Sequence, residues 1–125
     1  MFSFAQTFPM DKIFYLASCD TCRKIIKSLP NQDRLTFRDI KQTPVSAAEL
    51  EEMRALSGSY EALFSKKAQL YKSLGLKDKT LTENDFKKYL LEHYTFLSRP
   101  VLIVQEKIFI GNSQKNVSNA IAALS

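Results

Sequence analysis

Four consecutive residues, Val101-Leu102-Ile103-Val104, are all apolar. Successive side chains of a strand point to opposite faces of its sheet, so an apolar residue at every position demands cover on both faces. Such a strand belongs inside a layered domain, and the rest of the chain can be read for what covers it. Gln105-Glu106 turns the chain, and Lys107-Ile108-Phe109-Ile110 returns as a hairpin partner. Gly111-Asn112 breaks that strand. Val117, Ala120, Ile121 and Leu124 then recur at the spacing of one face of a closing helix.

Near the other end, Lys12-Ile13-Phe14-Tyr15-Leu16 is short, apolar and β-prone, as a buried strand requires. From Arg23 to Leu29, residues Ile25, Ile26 and Leu29 fall at helical spacing, and Pro30-Asn31 stops the helix. Leu35-Thr36-Phe37-Arg38-Asp39-Ile40 alternates close to the period of a strand. This is a β-α-β unit. A helical insertion follows it. Ser46-Ala47-Ala48-Glu49 reads as a capping box, in which serine and glutamate satisfy each other's backbone amides. Leu50, Met53 and Leu56 form its buried stripe, and Gly58 ends it. A second helical stretch runs from about Tyr60 to Leu74, broken near Phe64-Ser65, with Gly75 placed to terminate it. Thr82 opens a third helix through Tyr89, Leu90 and Leu91. The apolar stripes of these helices read as core. The order is strand, helix, strand, helical insertion, strand, strand, helix. Residues 10–125 are therefore one α/β domain with a mixed sheet, and Met1 to Pro9 are an extension with no assigned role. That extension lacks the basic start and long apolar centre of a secretory signal.

A chain of 125 residues with nine Phe and five Tyr can build a core without a disulfide network. Its two cysteines have no scaffolding duty, and so low a count fits a reducing cytosol; a cytoplasmic location is expected. The net charge is +5, but the lysines between Lys66 and Lys88 are interspersed with Asp78, Glu83 and Asp85 and read as a solvated helical face. No zinc-finger or RNA-binding signature accompanies them, so direct nucleic-acid binding is not expected. No run approaches the roughly 18 apolar residues of a membrane span.

Both cysteines lie in Leu16-Ala17-Ser18-Cys19-Asp20-Thr21-Cys22-Arg23-Lys24, at the turn from the first strand into its helix. Three readings compete. A closed zinc site wants four ligands, and the other good candidate is His93, far along the chain on a predicted helix and read as a packing or surface residue. Free cysteines are also often just small core residues. The redox reading has an argument at each position. At a helix N-terminus, unpaired amides and the helix dipole favour the thiolate of Cys19, and Arg23 and Lys24 add positive charge about one turn away. Asp20 opposes them. Cys22 lies one turn on, within disulfide-forming reach, so it could resolve an adduct formed at Cys19.

Cys19-Asp20-Thr21-Cys22-Arg23-Lys24 within a β-α-β unit is joined by a later stretch, Phe96-Leu97-Ser98-Arg99-Pro100-Val101-Leu102-Ile103-Val104. Together they resemble the arsenate reductase (ArsC), Spx and YffB family, from about Met10 to the C-terminus. The segment from Tyr60 to Leu76 also looks like part of that family's insertion. The resemblance implies a thioredoxin-like fold with a helical insertion. It matches Cys19 to the catalytic or redox-active cysteine and Cys22 to the second cysteine of the Spx branch, which toggles between dithiol and disulfide. Thr21 and Arg23 match residues around the oxyanion-binding loop. Arg99 matches an arginine facing the reactive sulfur, and Pro100 the thioredoxin-like proline expected in cis. Glutaredoxin-linked arsenate reductases hold their oxyanion with three arginines, and here only Arg99 is clear. Ser65, Lys66 and Lys67 stand where a second would fall, and Gly111-Asn112 near the third. Tyr15 replaces a histidine.

What the resemblance implies about function is a thiol–disulfide oxidoreductase. Glutathione, glutaredoxin or thioredoxin would serve as reductant, with no metal and no tightly bound cofactor. The alternatives are an Spx-like redox-sensing regulator that binds the RNA polymerase α subunit, with Gly58 at the contact, a YffB-like glutathione-binding reductase, and an arsenate reductase dependent on glutaredoxin or glutathione.

Overall fold

The computed structural model describes residues 11–125. The extension read over residues 1–9 lies outside the described residues. Strand β1 (Asp11–Tyr15) sits next to the middle of a four-stranded sheet of order β2-β1-β3-β4, with β2 at Leu35–Asp39, β3 at Val101–Val104 and β4 at Lys107–Ile110. The β1–β2 pair is parallel, with Ile13 opposite Phe37. Both β1–β3 and β3–β4 are antiparallel, with Ile13 opposite Leu102 and Leu102 opposite Phe109. The parallel pair needs a crossover, which helix α1 (Asp20–Ser28) supplies; the antiparallel pair β3–β4 needs only a two-residue turn.

The apolar run in β3 is buried throughout, and its residues alternate between two cores. Leu102 and Val104 join Ile13, Ile25, Leu29, Leu35, Ala120 and Leu124, where α1 and α5 (Gln114–Leu124) cover one face. Val101 and Ile103 join Phe14, Leu50, Met53, Leu63, Phe64, Phe86 and Phe96 on the face covered by the insertion. Each such aliphatic or aromatic side chain contributes about 1.5–3 kcal/mol of transfer free energy.

Within the insertion, α2 (Ala47–Ser57) starts at the expected capping box. Ser46 Oγ accepts from the Glu49 amide at 3.1 Å, and Glu49 Oε1 accepts from the Ser46 amide at 2.9 Å. It ends at Gly58, whose φ of +96° is a left-handed conformation that other residues adopt at a cost. Thr82 and Asp85 form a second capping box for α4 (Glu83–Glu92). The helical stretch read from Tyr60 to Leu74 breaks at Phe64-Ser65 as expected, but less of it is α-helical than the spacing suggests. A 3₁₀ turn at Glu61–Leu63 gives way to extended backbone at Phe64, and only Gln69–Ser73 (α3) is α-helical. The reason is tertiary. Phe64 bridges Leu97 in antiparallel fashion, the Ser65 amide donates to the Phe96 carbonyl at 2.7 Å, and the Ser98 amide donates to the Leu63 carbonyl at 2.8 Å. These long-range bonds take up backbone groups that a helix would use locally.

Gln105 and Glu106 close the β3–β4 hairpin with φ of 51° and 66°. Asp11, 9% exposed, ties that turn to β1 and to the segment before β2. Its carboxylate accepts from the Gln105 amide at 3.1 Å and from Arg34 at 3.2 Å. A β-α-β unit and a β-β-α unit sharing one mixed sheet, with helices inserted between them, is a thioredoxin-like fold. Among the described residues no helix is long and apolar enough to cross a membrane.

Candidate active site

After β1 the chain turns through Leu16-Ala17-Ser18 and enters α1 at Cys19, whose amide donates to the Leu16 carbonyl at 3.0 Å. Cys19 is the N-cap residue, with extended backbone (φ −91°, ψ 116°). A capping side chain normally offers oxygen to amides two and three residues on. Here those residues are Thr21 and Cys22, and their amides face a sulfur. Both cysteines are free thiols, Cys19 half-buried and Cys22 fully buried.

Their environments push them in opposite directions. At Cys19, partial burial works against ionisation. It is outweighed by the Cys22 amide, the Cys22 thiol, the Thr21 amide and the positive charge of Arg99, so the thiol is held below its ordinary value of 9.0. Cys22 is raised to about 11, first by burial and then by the neighbouring charge of Cys19, despite a backbone hydrogen bond at Leu16 and the field of Arg99. The two environments thus favour ionisation of Cys19 and oppose that of Cys22.

Cys19 opens into a cleft of about 410 Å³ lined by Phe64, Ser65-Lys66-Lys67-Ala68, Leu97-Ser98-Arg99 and Gly111-Asn112. The fold thus brings the Cys19 loop together with the positions where the sequence comparison sought further oxyanion-binding groups. Arg99 Nη1 donates to the Thr95 carbonyl at 3.2 Å and the Leu97 carbonyl at 3.3 Å, which orients the guanidinium. Its Nε is buried without a hydrogen-bond partner among the described residues. The Arg99–Pro100 peptide bond is cis, and the Pro100 carbonyl accepts from the Gly111 amide at 2.9 Å. Gly111 has φ of +91°, so the rim turns there through a conformation favoured by glycine.

Thr21 contributes its backbone amide, its side chain lying on the surface. Arg23 bonds the Ala17 carbonyl at 2.7 Å and pairs with Asp20, so the two charges that the sequence set against each other largely neutralise one another. The arginine charge acting on both sulfurs is that of Arg99. Lys66 pairs with Glu61 at 2.9 Å, whereas Lys67 makes no ion pair among the described residues. Tyr15 packs edge-on to Phe37 with ring centroids 5.9 Å apart. His93 stacks on Tyr94 at 4.8 Å, as a packing residue would. A second, largely apolar cavity of about 250 Å³ lies between α2 and α4, lined by Ile40, Val45, Leu50, Leu90 and Leu97 among others. The carbonyls of Thr95 and Leu97 that hold Arg99 had no signal in the sequence, because any residue type supplies a carbonyl.

The chain matches the ArsC family over residues 14–120. It is 27% identical over 108 residues to the global transcriptional regulator Spx 2 of Bacillus anthracis, covering 84% of this chain and 82% of that protein. It is also 27% identical over 93 residues to an arsenate reductase of Acidiphilium multivorum, covering 73% of this chain and 66% of that one. An ArsC family related protein from Bacteroides fragilis has the same fold, with a TM-score of 0.75 at 23% identity over 91% of this chain and 99% of the other. The family match takes in Cys19, Cys22, Arg99 and Pro100, the end of β1 and all of β2, β3 and β4, and the protein belongs to the ArsC family.

Proposed function

We propose that the protein is a thiol–disulfide redox protein in which Cys19 attacks and Cys22 resolves. The observation that carries this reading is a pair of thiols one helical turn apart in opposed environments, Cys19 lining the cleft and Cys22 buried. The Cys19 thiolate attacks one sulfur of a substrate disulfide, forming a mixed disulfide and expelling the other sulfur as a thiolate that takes a proton. The charge on Cys19 is then gone, and with it one of the causes that keep Cys22 protonated. Cys22 loses its proton and attacks Cys19 Sγ. The second substrate thiol leaves, and the Cys19–Cys22 disulfide holds the two-electron oxidation. A thiol reductant such as glutathione, glutaredoxin or thioredoxin restores the dithiol, as a reducing cytoplasm would permit. No tightly bound cofactor enters these steps.

The test is disulfide turnover with a small substrate, together with the pH profile of alkylation. Cys19→Ser should abolish turnover, and Cys22→Ser should trap the mixed disulfide. Reactive dithiols have potentials of roughly −270 to −120 mV, and a value far below that window would overturn the reading.

A second reading is favoured by the match to Spx 2 along most of the chain. In it the same pair is a switch, and the oxidised protein binds the RNA polymerase α subunit through the surface around Gly58. Retention of α subunit by oxidised but not reduced protein, with no disulfide turnover, would select it. Arsenate reduction is a third reading, drawn from the arsenate reductase match. Lys66 or Lys67 would then share the oxyanion with Arg99, and lysine lacks the planar fork that grips an oxyanion with two parallel bonds. Glutaredoxin-coupled arsenate turnover is expected to be absent.

A further inference from the structure

The guanidinium of Arg99 is placed by carbonyls of Thr95 and Leu97, so whatever shapes that short turn governs where the charge lies. The turn is a single 3₁₀ unit at Tyr94–Phe96, following α4 directly. One such unit is marginal alone, because few bonds repay the fixed backbone. His93 is its N-cap. The Nδ1 lone pair of His93 faces the Thr95 amide at 3.2 Å and the Thr95 hydroxyl at 2.7 Å. The same ring stacks on Tyr94, the turn's first residue. The turn also accepts the Ser65 amide at the Phe96 carbonyl, so the lysine-bearing wall of the cleft hangs from it as well.

We infer that His93 is a positioning residue for the redox site, acting through the Tyr94–Phe96 turn on Arg99 and the cleft wall. The inference rests on the proposed redox reading and adds a residue to it. His93 touches neither sulfur and takes no part in bond making. Without its acceptor, the Thr95 amide loses its cap, the carbonyls that hold Nη1 swing more freely, and the field of Arg99 at Cys19 weakens.

The experiment is the pH profile of Cys19 alkylation by iodoacetamide in wild type, Arg99→Gln, His93→Phe, His93→Asn and Arg99→Gln/His93→Phe, with a thermal melt of each. Phe keeps the stacking ring and removes the acceptor. Asn loses the ring but can accept from the amide two residues on. The expected result is an alkylation rate at pH 7 that falls about threefold in Arg99→Gln and nearly as far in His93→Phe. His93→Asn should stay close to wild type, and the double variant should match Arg99→Gln. The inference is overturned if His93→Phe leaves the profile unmoved while Arg99→Gln shifts it. It is equally overturned if His93→Phe slows alkylation as much without Arg99 as with it, since the effect would then be general loosening. If wild-type Cys19 alkylates like an ordinary thiol and Arg99→Gln changes nothing, the redox reading fails first and takes this one with it.

Discussion

The two faces of the sheet are built differently. On one, α1 and α5 lay Ile25, Leu29, Ala120 and Leu124 against Ile13, Leu35, Leu102 and Val104, an aliphatic core under two regular helices. On the other, the insertion packs Phe64, Phe86 and Phe96 on the face of the sheet that carries Phe14, and much of its backbone is short turns joined by long-range hydrogen bonds. The regular face supplies the helix terminus that carries both thiols. The irregular face supplies Arg99 and the Ser65–Lys67 wall. Damage to the second face should therefore reach the site more readily than equal damage to the first.

The largest effect tests that contrast directly. Phe96→Ala removes a ring 1% exposed and stacked on Phe64 at 5.0 Å, and should cost about 3–5 kcal/mol. Leu102→Ala, also 1% exposed, should cost about 2–5 kcal/mol on the opposite face. Chemical denaturation reads both. Only Phe96→Ala should also slow Cys19 alkylation, and equal effects from the two would break the comparison.

Next in size is Asp11→Ala. It strips acceptors from the Gln105 amide and Arg34 at the end of β1 remote from Cys19, and should cost about 1–3 kcal/mol. The alkylation profile should be untouched. A smaller effect concerns the thiols. Because Cys22 is raised from 9.0 to about 11, the unfolded chain releases its proton first, and stability should fall as pH rises from 9 to about 11. Cys19 has the opposite sign: its lowered value makes stability rise with pH below 9. Denaturation of the reduced protein between pH 7 and 11 should pass through a maximum, which Cys22→Ala flattens on the alkaline side. The smallest effect is a gain. Replacing Gln105-Glu106 by Asn-Gly suits two consecutive left-handed residues, and should stabilise the hairpin by about 0.5–1 kcal/mol without altering the cleft.

Much of the local structure was legible residue by residue. The all-apolar β3, the β-α-β unit, the capping box at Ser46, the helix start at Thr82 and the helix stops depend on neighbours a few positions away. The stretch from Tyr60 to Leu74 was legible in part: its break near Phe64-Ser65 and its stop at Gly75 hold, but its α-helix is shorter than read, because Phe64 pairs with Leu97, thirty-odd positions along. The site divides the same way. Cys19 and Cys22 stood out by spacing, and Arg99-Pro100 by family resemblance. Arg23 illustrates the limit: its nearness to Cys19 in sequence suggested a field on the thiol, whereas its charge is spent on Asp20.

Local chemistry in the chain determined the element order, the two-sided burial of β3 and the placing of both sulfurs at the start of a helix. Each of these follows from periodicity, capping or steric preference over a few residues. Tertiary structure added the burial that raises Cys22 and the field at both sulfurs of a guanidinium some eighty positions away, which no local pattern encodes. Electrostatics and desolvation act through space, and folding sets those distances.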